Sequence, residues 1–263
     1  MKLSVIICAF NEKDTVLTVL DRVRAISLGP GWEKEIVVVD NCSTDGTREL
    51  LKGVKGDNIR VIFHPRNLGK GASIRTALRH CTGDYVIIQD ADLEYDPGEM
   101  PLFVEKAMAD HADAVYGSRT LAGKTEYIYT RNYWGVRLLT SLTNLLFRTR
   151  YTDVATASKM VRTSVLRSLR LRCSGFNLDF ELSNKLGKSG FRVAEMPITY
   201  RPRSFAQGKK IRAKDGLIAL LQILKDRFTP RNRAWRGEPD KQNRGQPEGC
   251  PTRDKRENLP LFR

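Results

Sequence analysis

The sequence predicts an α/β fold: a mostly parallel sheet flanked by helices. Three observations predict it. Short β-branched runs alternate with helical patterns through the first half of the chain. Those runs are continuously apolar, as strands are when helices cover both faces of a parallel sheet. Polar and charged residues follow the runs directly, and ligands of such sheets bind outside the carboxyl ends of the strands.

Residues 3–8, 35–40, 58–63, 85–89 and 114–116 read as strands. Between them, one helix is expected from an Asn11 cap toward Ile26. A second follows Ser43-Thr44-Asp45 toward Lys52, a third covers 70–80, and a fourth begins after Asp96-Pro97. In the second half, 131–150 is helical, with a strongly apolar middle (136–147) and basic ends. Residues 158–161 read as a short strand, 176–188 as a helix and 191–199 as a strand. Residues 215–228 form a C-terminal amphipathic helix in which Leu217, Ile218, Leu220, Leu221, Leu224 and Phe228 are the apolar positions. The folded domain is expected to be 1–230. The remainder, 231–263, is a basic tail with few apolar residues and is predicted to be disordered.

With 263 residues, 41% of them hydrophobic, the chain can bury a core without a disulfide or a structural metal. The five cysteines (Cys8, Cys42, Cys81, Cys173, Cys250) are odd in number and form no C-x-x-C pair, which points to a reducing compartment. The opening apolar run is too short for a signal-peptide core. No stretch approaches the roughly 18 uncharged apolar residues of a membrane span. A cytoplasmic location follows as the expectation. The formal net charge of +15 calls for an anionic partner: nucleic acid, lipid headgroups or a phosphorylated substrate. Against nucleic acid, the basic residues are not interleaved with aromatics and no binding module is recognisable.

The sharpest local feature is Gln89-Asp90-Ala91-Asp92-Leu93-Glu94, directly after an apolar strand. Asp90 and Asp92 can lean toward one point and Glu94 adds a third carboxylate. Such hard oxygen ligands suit Mg2+ or Mn2+ held jointly with substrate phosphates. The competing reading is an acidic turn that caps the helix after Pro97. Asp40 ends a second apolar strand, where its carboxylate can read the edge of a nucleobase, while Ser43 through Gly46 supply a cap and a turn. Gly69-Lys70-Gly71 lacks Walker spacing, which excludes an ATPase loop, although a glycine-flanked lysine at a helix start can approach phosphate.

Ala9-Phe10-Asn11-Glu12, the run Val37-Val38-Val39-Asp40 with Ser43-Thr44-Asp45-Gly46-Thr47, Asn67-Leu68-Gly69-Lys70-Gly71 and Asp90-Ala91-Asp92 occur in one order. In that order and spacing the chain resembles the family 2 glycosyltransferases of GT-A fold. Gly117-Ser118-Arg119, Thr152-Asp153-Val154-Ala155-Thr156 and Pro197-Ile198-Thr199-Tyr200, followed by Arg203 and Gly208-Lys209-Lys210, are similar to the polyprenyl-phosphate sugar synthase branch, the dolichol-phosphate mannose synthases among them. The resemblance runs from about Lys2 to Phe228.

The resemblance implies an inverting hexosyltransferase that takes a nucleotide-sugar, GDP-mannose or UDP-glucose, to a polyprenyl or dolichyl phosphate at a membrane surface. It implies that Phe10 and Glu12 hold the nucleoside, with the Cys8 and Val38 backbone lining its pocket and Asp40 reading the base. Asp90 and Ala91 would contact the nucleotide-sugar, with Asp92 and Glu94 completing the metal site. Arg119, Arg203 and Lys209 would grip the diphosphate and the acceptor phosphate, and the rest of the basic run 201–214, Lys210 included, would face headgroups. Asp179 or Glu181 stands near the catalytic carboxylate of relatives. Asp179 would be the general base if the acceptor were a hydroxyl and a bystander if it were a phosphate. Cys8, Phe10, Asn41 and Glu94 depart from the usual proline, tyrosine, second acid and glutamine, which leaves guanine and uracil both open.

Overall fold

A computed structural model describes residues 1–121, 130–203, 210 and 213–230. The elements are β1 (Lys2–Ala9), α1 (Val16–Ala25), β2 (Glu33–Asp40), α2 (Thr47–Lys52), β3 (Ile59–Phe63), α3 (Lys70–Leu78), β4 (Tyr85–Asp90), α4 (Met100–Ala109), β5 (Ala114–Ser118), α5 (Thr130–Phe147), β6 (Lys159–Arg162), α6 (Thr163–Ser168), α7 (Leu178–Ser189), β7 (Val193–Pro197) and α8 (Ala213–Phe228). The expected tail, 231–263, and Lys209 lie outside the described residues.

The seven strands form one sheet in the order β3-β2-β1-β4-β6-β5-β7. β1, β2, β3 and β4 pair in parallel, with Ile6 opposite Val37 and Ile88. β6 runs antiparallel to both β4 and β5, and β7 pairs in parallel with β5. The mixed, mostly parallel sheet is therefore the one expected.

Alternation along β1 splits the core into two layers. Leu3, Val5, Ile7 and Ala9 pack with Val16, Val19 and Leu20 of α1 and Phe103 of α4. Ile6 points the other way, toward Ile74 of α3, Val165 of α6 and Leu182 of α7. A third cluster joins Phe147 of α5, Phe180 of α7 and Ala219 and Ile223 of α8, so α5 and α8 pack against α7 and each other.

Helix starts differ from expectation where polar residues have other work. Asn11 does not cap α1: its φ is 52° and its Oδ1 accepts from Thr44 N at 2.9 Å. Asp45, not the residues before it, receives Thr47 N at 3.0 Å and opens α2. Asp96 accepts from Gly98 N at 2.9 Å, starting the short 3-10 turn (Pro97–Glu99) before α4. The capping role after Pro97 thus falls to Asp96 and leaves Asp90 and Asp92 free of it.

Candidate active site

The parallel pairing brings the ends of β1, β2 and β4 to one edge: Cys8 stands opposite Val39 on one side and Asp90 on the other. Each following loop contains a non-glycine residue in the left-handed region, Asn11 at φ 52°, Cys42 at 64° and Leu93 at 60°. Such conformations cost energy and persist where neighbours impose them. Here bonds between and within the loops do so: Asn11 N donates across to Ser43 Oγ (3.0 Å), and Glu94 N donates within its own loop to Asp92 Oδ1 (3.1 Å).

Around this edge the structure assembles alternating charge. Lys70 Nζ lies 2.6 Å from Asp90 Oδ1. Arg203 places Nη1 2.9 Å from Glu12, Nη2 2.8 Å from Asp92 and Nε 3.6 Å from Glu94, and Lys210 also contacts Glu12. Tyr200 donates its hydroxyl to Glu94 at 3.0 Å, and Arg203 N donates to the other Glu94 oxygen at 2.9 Å. Burial, then the Asp90 and Glu94 charges, push the Asp92 carboxyl up to about 7 against the pull of Arg203. Burial works against the Lys70 ammonium, yet the Asp90 and Asp179 carboxylates outweigh it and hold the group charged.

Two glycines place Lys70. A Cβ at Gly69 would stand 2.3 Å from Ser174 O, and one at Gly71 2.5 Å from Cys173 O. α3 begins against that backbone, with Ala72 N donating to Ser174 O at 3.3 Å, and its first residue reaches Asp90.

A cavity of about 610 Å³ opens here. Cys8, Phe10, Glu12, Lys70, Asp90, Ala91, Asp92, Glu94, Arg119, Asp179 and Arg203 line it. Arg119 is already engaged, bidentate to buried Asp153 at 2.7 and 2.9 Å and stacked over Tyr200. Of the two candidate carboxylates on α7, Asp179 reaches the cavity, 3.3 Å from the Nζ of fully buried Lys159. Glu181 instead accepts from Arg172 N, Cys173 N and Lys185, supporting the loop before α7.

Three expectations are corrected. Asp40 does not face the cavity: its side chain is 0% exposed, with Oδ2 taken by Arg48 Nε (2.7 Å) and Oδ1 by Ser43 N (3.2 Å). A buried carboxylate at a strand end must find partners, and here it finds them within the chain. Val38 is buried in the sheet core and does not line the cavity. Lys210 turns inward to Glu12 and to the ring of Phe10 rather than toward headgroups.

The structure also brings to the cavity residues to which the sequence assigned no role there. Asn41 lines the cavity beside Asn67, accepting from Leu68 N (2.9 Å) and contacting buried His64 Nδ1 (3.0 Å) while donating to Asn67 Oδ1 (2.9 Å). Phe176, Phe180, Val136, Leu139 and Ala219 form an apolar wall. Their approach depends on the packing of α5, α7 and α8, and helical periodicity alone does not reveal it.

Among the described residues no three His, Cys, Asp or Glu side chains meet as a ready-made metal cage, and Glu94 accepts from Tyr200 and Arg203. The donor set still fits a hard divalent cation. Four carboxylates (Glu12, Asp90, Asp92, Glu94) face three cations (Lys70, Arg203, Lys210), and among the described residues the buried Arg203 Nε finds no hydrogen-bond partner, leaving a donor for a phosphate oxygen beside the carboxylates. One or two carboxylates plus substrate phosphates are what such a cation asks of a protein.

Residues 4–170 match the family described as glycosyl transferase family 2. The chain belongs to that family. Among relatives of this glycosyl transferase family 2 chain is the undecaprenyl-phosphate 4-deoxy-4-formamido-L-arabinose transferase of Edwardsiella ictaluri. It is 28% identical over 230 residues, covering 86% of this chain and 66% of the relative. A low-salt glycan biosynthesis hexosyltransferase of Haloferax volcanii is 26% identical, covering 76% of this chain and 48% of the relative. The chain thus spans about two thirds or less of the length of these curated relatives. Among solved structures, glucosyl-3-phosphoglycerate synthase from Mycobacterium tuberculosis, in complex with Mn2+, UDP and phosphoglyceric acid, superposes with a TM-score of 0.63. It is 21% identical and the match covers 87% of this chain and 79% of that one, a likeness of fold. The GT-A architecture expected from the sequence is the one observed.

Proposed function

We propose that this family 2 chain is an inverting glycosyltransferase that moves a hexose from a nucleotide-sugar, GDP-mannose or UDP-glucose, to a polyprenyl phosphate. The observation that carries the reading is the cavity's division. Carboxylates and cations occupy the strand-end side, and an apolar wall from α5, α7 and α8 faces them. A donor diphosphate and an acceptor phosphate both need cations, and a prenyl acceptor needs the apolar wall. The relative named for undecaprenyl phosphate supports the acceptor class.

Asp90 and Asp92 would hold Mg2+ or Mn2+, which when bound would supply positive charge to offset that of the diphosphate leaving group. The neighbour that carries Mn2+ with UDP supports this choice of ion. An oxygen of the acceptor phosphate attacks the anomeric carbon, and the bond from that carbon to the donor phosphate breaks. The electron pair leaves with the nucleoside diphosphate, and configuration inverts. The acceptor is already an anion, so no residue need remove a proton, and positioning with charge neutralisation suffices. Arg203 and Lys210 exchange Glu12, Asp92 and Glu94 for donor and acceptor phosphates. Lys70 positions the Asp90 carboxylate through their ion pair, and Arg119 is held toward the site by Asp153.

Membrane association belongs to the same reading. No helix among the described residues is long and apolar enough to cross a bilayer. α5 exposes Trp134, Leu138 and Leu145, and α8 exposes Leu217, Leu221 and Phe228, with Arg137, Arg148, Lys214, Lys225 and Arg227 exposed around them. Apolar side chains within a basic surround suit the interface of an anionic bilayer, with the protein peripheral on its cytosolic face. The chain's positive excess is assigned to lipid and diphosphate rather than nucleic acid.

The test is nucleoside diphosphate release from GDP-mannose and UDP-glucose, with and without Mn2+ or Mg2+ and polyprenyl phosphate. Release that requires metal and lipid together, with sugar recovered in the organic phase, is expected. Release that ignores the lipid would sink the acceptor assignment. The second reading, a hydroxyl acceptor with Asp179 as general base, is favoured by the place of Asp179 in the cavity wall. Asp179→Asn separates the two: most activity survives with a phosphate acceptor and about a hundredfold or more is lost with a hydroxyl.

A further inference from the structure

Two glycines of the cavity wall have, among the described residues, no neighbour that requires a glycine. Gly135 lies within α5 and Gly216 within α8, helical positions where glycine is about 0.5–1 kcal/mol less favourable than alanine. At Gly69 and Gly71 the cost has a visible cause, since backbone presses where a Cβ would stand. Among the described residues, a Cβ at Gly135 or Gly216 would meet nothing within 4 Å. Both line the cavity, so what the missing side chains preserve is open volume in front of the two helices.

That volume has a definite chemistry. Val136 and Leu139 on α5 and Ala219 on α8 line the same cavity as Lys70, Asp90 and Arg203. On their outer faces the same helices expose Leu138 at 69% and Leu221 at 58%. One helix diameter, about 10 Å, separates the opening from that apolar surface. A molecule that satisfies both walls has an anionic head and a flexible apolar tail.

We propose that Gly135 and Gly216 frame a slot for the first isoprene units of the acceptor, distinct from the sites that hold its phosphate and the donor. This rests on the prenyl-phosphate reading above and adds to it the residues that recognise the tail. The two missing side chains set the slot's width, and bulk at either position closes it.

Binding of farnesyl phosphate and of methyl phosphate to the full chain tests this by calorimetry. The unaltered chain holds farnesyl phosphate at least about tenfold more tightly than methyl phosphate, as a few buried methylenes require. Gly135→Leu and Gly216→Leu each abolish most of that preference and leave methyl phosphate affinity in place. Gly135→Ala and Gly216→Ala, which strengthen the helices, reduce it by a smaller factor and guard against a folding artefact. The slot is refuted if the unaltered chain shows no preference, or if Leu variants with undiminished thermal stability keep it. Sugar transfer to farnesyl phosphate is scored separately. Its absence beside the expected binding pattern would leave the slot standing and remove the transferase acceptor assignment.

Discussion

Asp40 and Asp92 are both carboxylates near the ends of buried strands, yet the structure gives them opposite work. Asp40 is enclosed and paired with Arg48, which also reaches His64 O. Asp92 stands in the cavity with its carboxyl pushed up to about 7 by burial and by neighbouring Asp90 and Glu94. Sequence placed both at strand ends and so made both candidates; only the position of Arg48, eight residues along on α2, separates them. Asp40→Asn should therefore act on stability. Leaving Arg48 without its carboxylate costs roughly 1–3 kcal/mol, seen as a lower Tm, with the preference between GDP- and UDP-sugars unchanged. A switch in donor preference at unaltered Tm would restore Asp40 as the base reader and overturn its structural role.

Among the elements, α5 and α8 are the least conventional. Each buries one face, through Phe147 or through Ala219 and Ile223, and exposes large apolar side chains on another. Monomeric proteins seldom leave such contiguous surface open without a partner. The sequence showed both helices and their amphipathic character. It did not show which apolar residues the α7 contact would use, because that division depends on which side meets the third cluster. Leu138→Glu combined with Leu221→Glu places two charges on the outer face. Vesicles containing anionic lipid should then fail to retain the protein at low salt. Exposed positions carry little packing energy, so folding stability should move by no more than about 0.5 kcal/mol. Retention equal to that of the unaltered chain would show that this face does not meet the bilayer.

For the whole molecule, one acid couples stability to pH. Glu35 on β2 sits under the turn before β4, accepting from Ser4 Oγ (2.6 Å) and Thr82 Oγ1 (2.8 Å), with Lys2 Nζ at 2.8 Å. Burial alone would raise its carboxyl. The bonds from Lys2, Ser4 and Thr82 prevail and hold it at about 2, below its ordinary 4.5. A group depressed on folding stabilises the folded state fully above its unfolded value and loses that contribution as pH falls through its folded value. The unaltered chain should lose Tm between about 4.5 and about 2 more steeply than Glu35→Gln, which should start lower at neutral pH. Parallel Tm curves would remove Glu35 from the acid response. Local pattern determined the α/β class, the strand-end carboxylates and the family, because hydrophobic period and motif order are properties of neighbours in sequence. Tertiary structure alone decided that β6 lies antiparallel between β4 and β5, that Lys210 turns in to Glu12, and that Asn41 rather than Asp40 faces the cavity. It also decided that two glycines leave room beside the charged site. Each of these depends on contacts between residues far apart in the chain, where burial obliges a charge to find a partner and packing determines which side of a helix remains open.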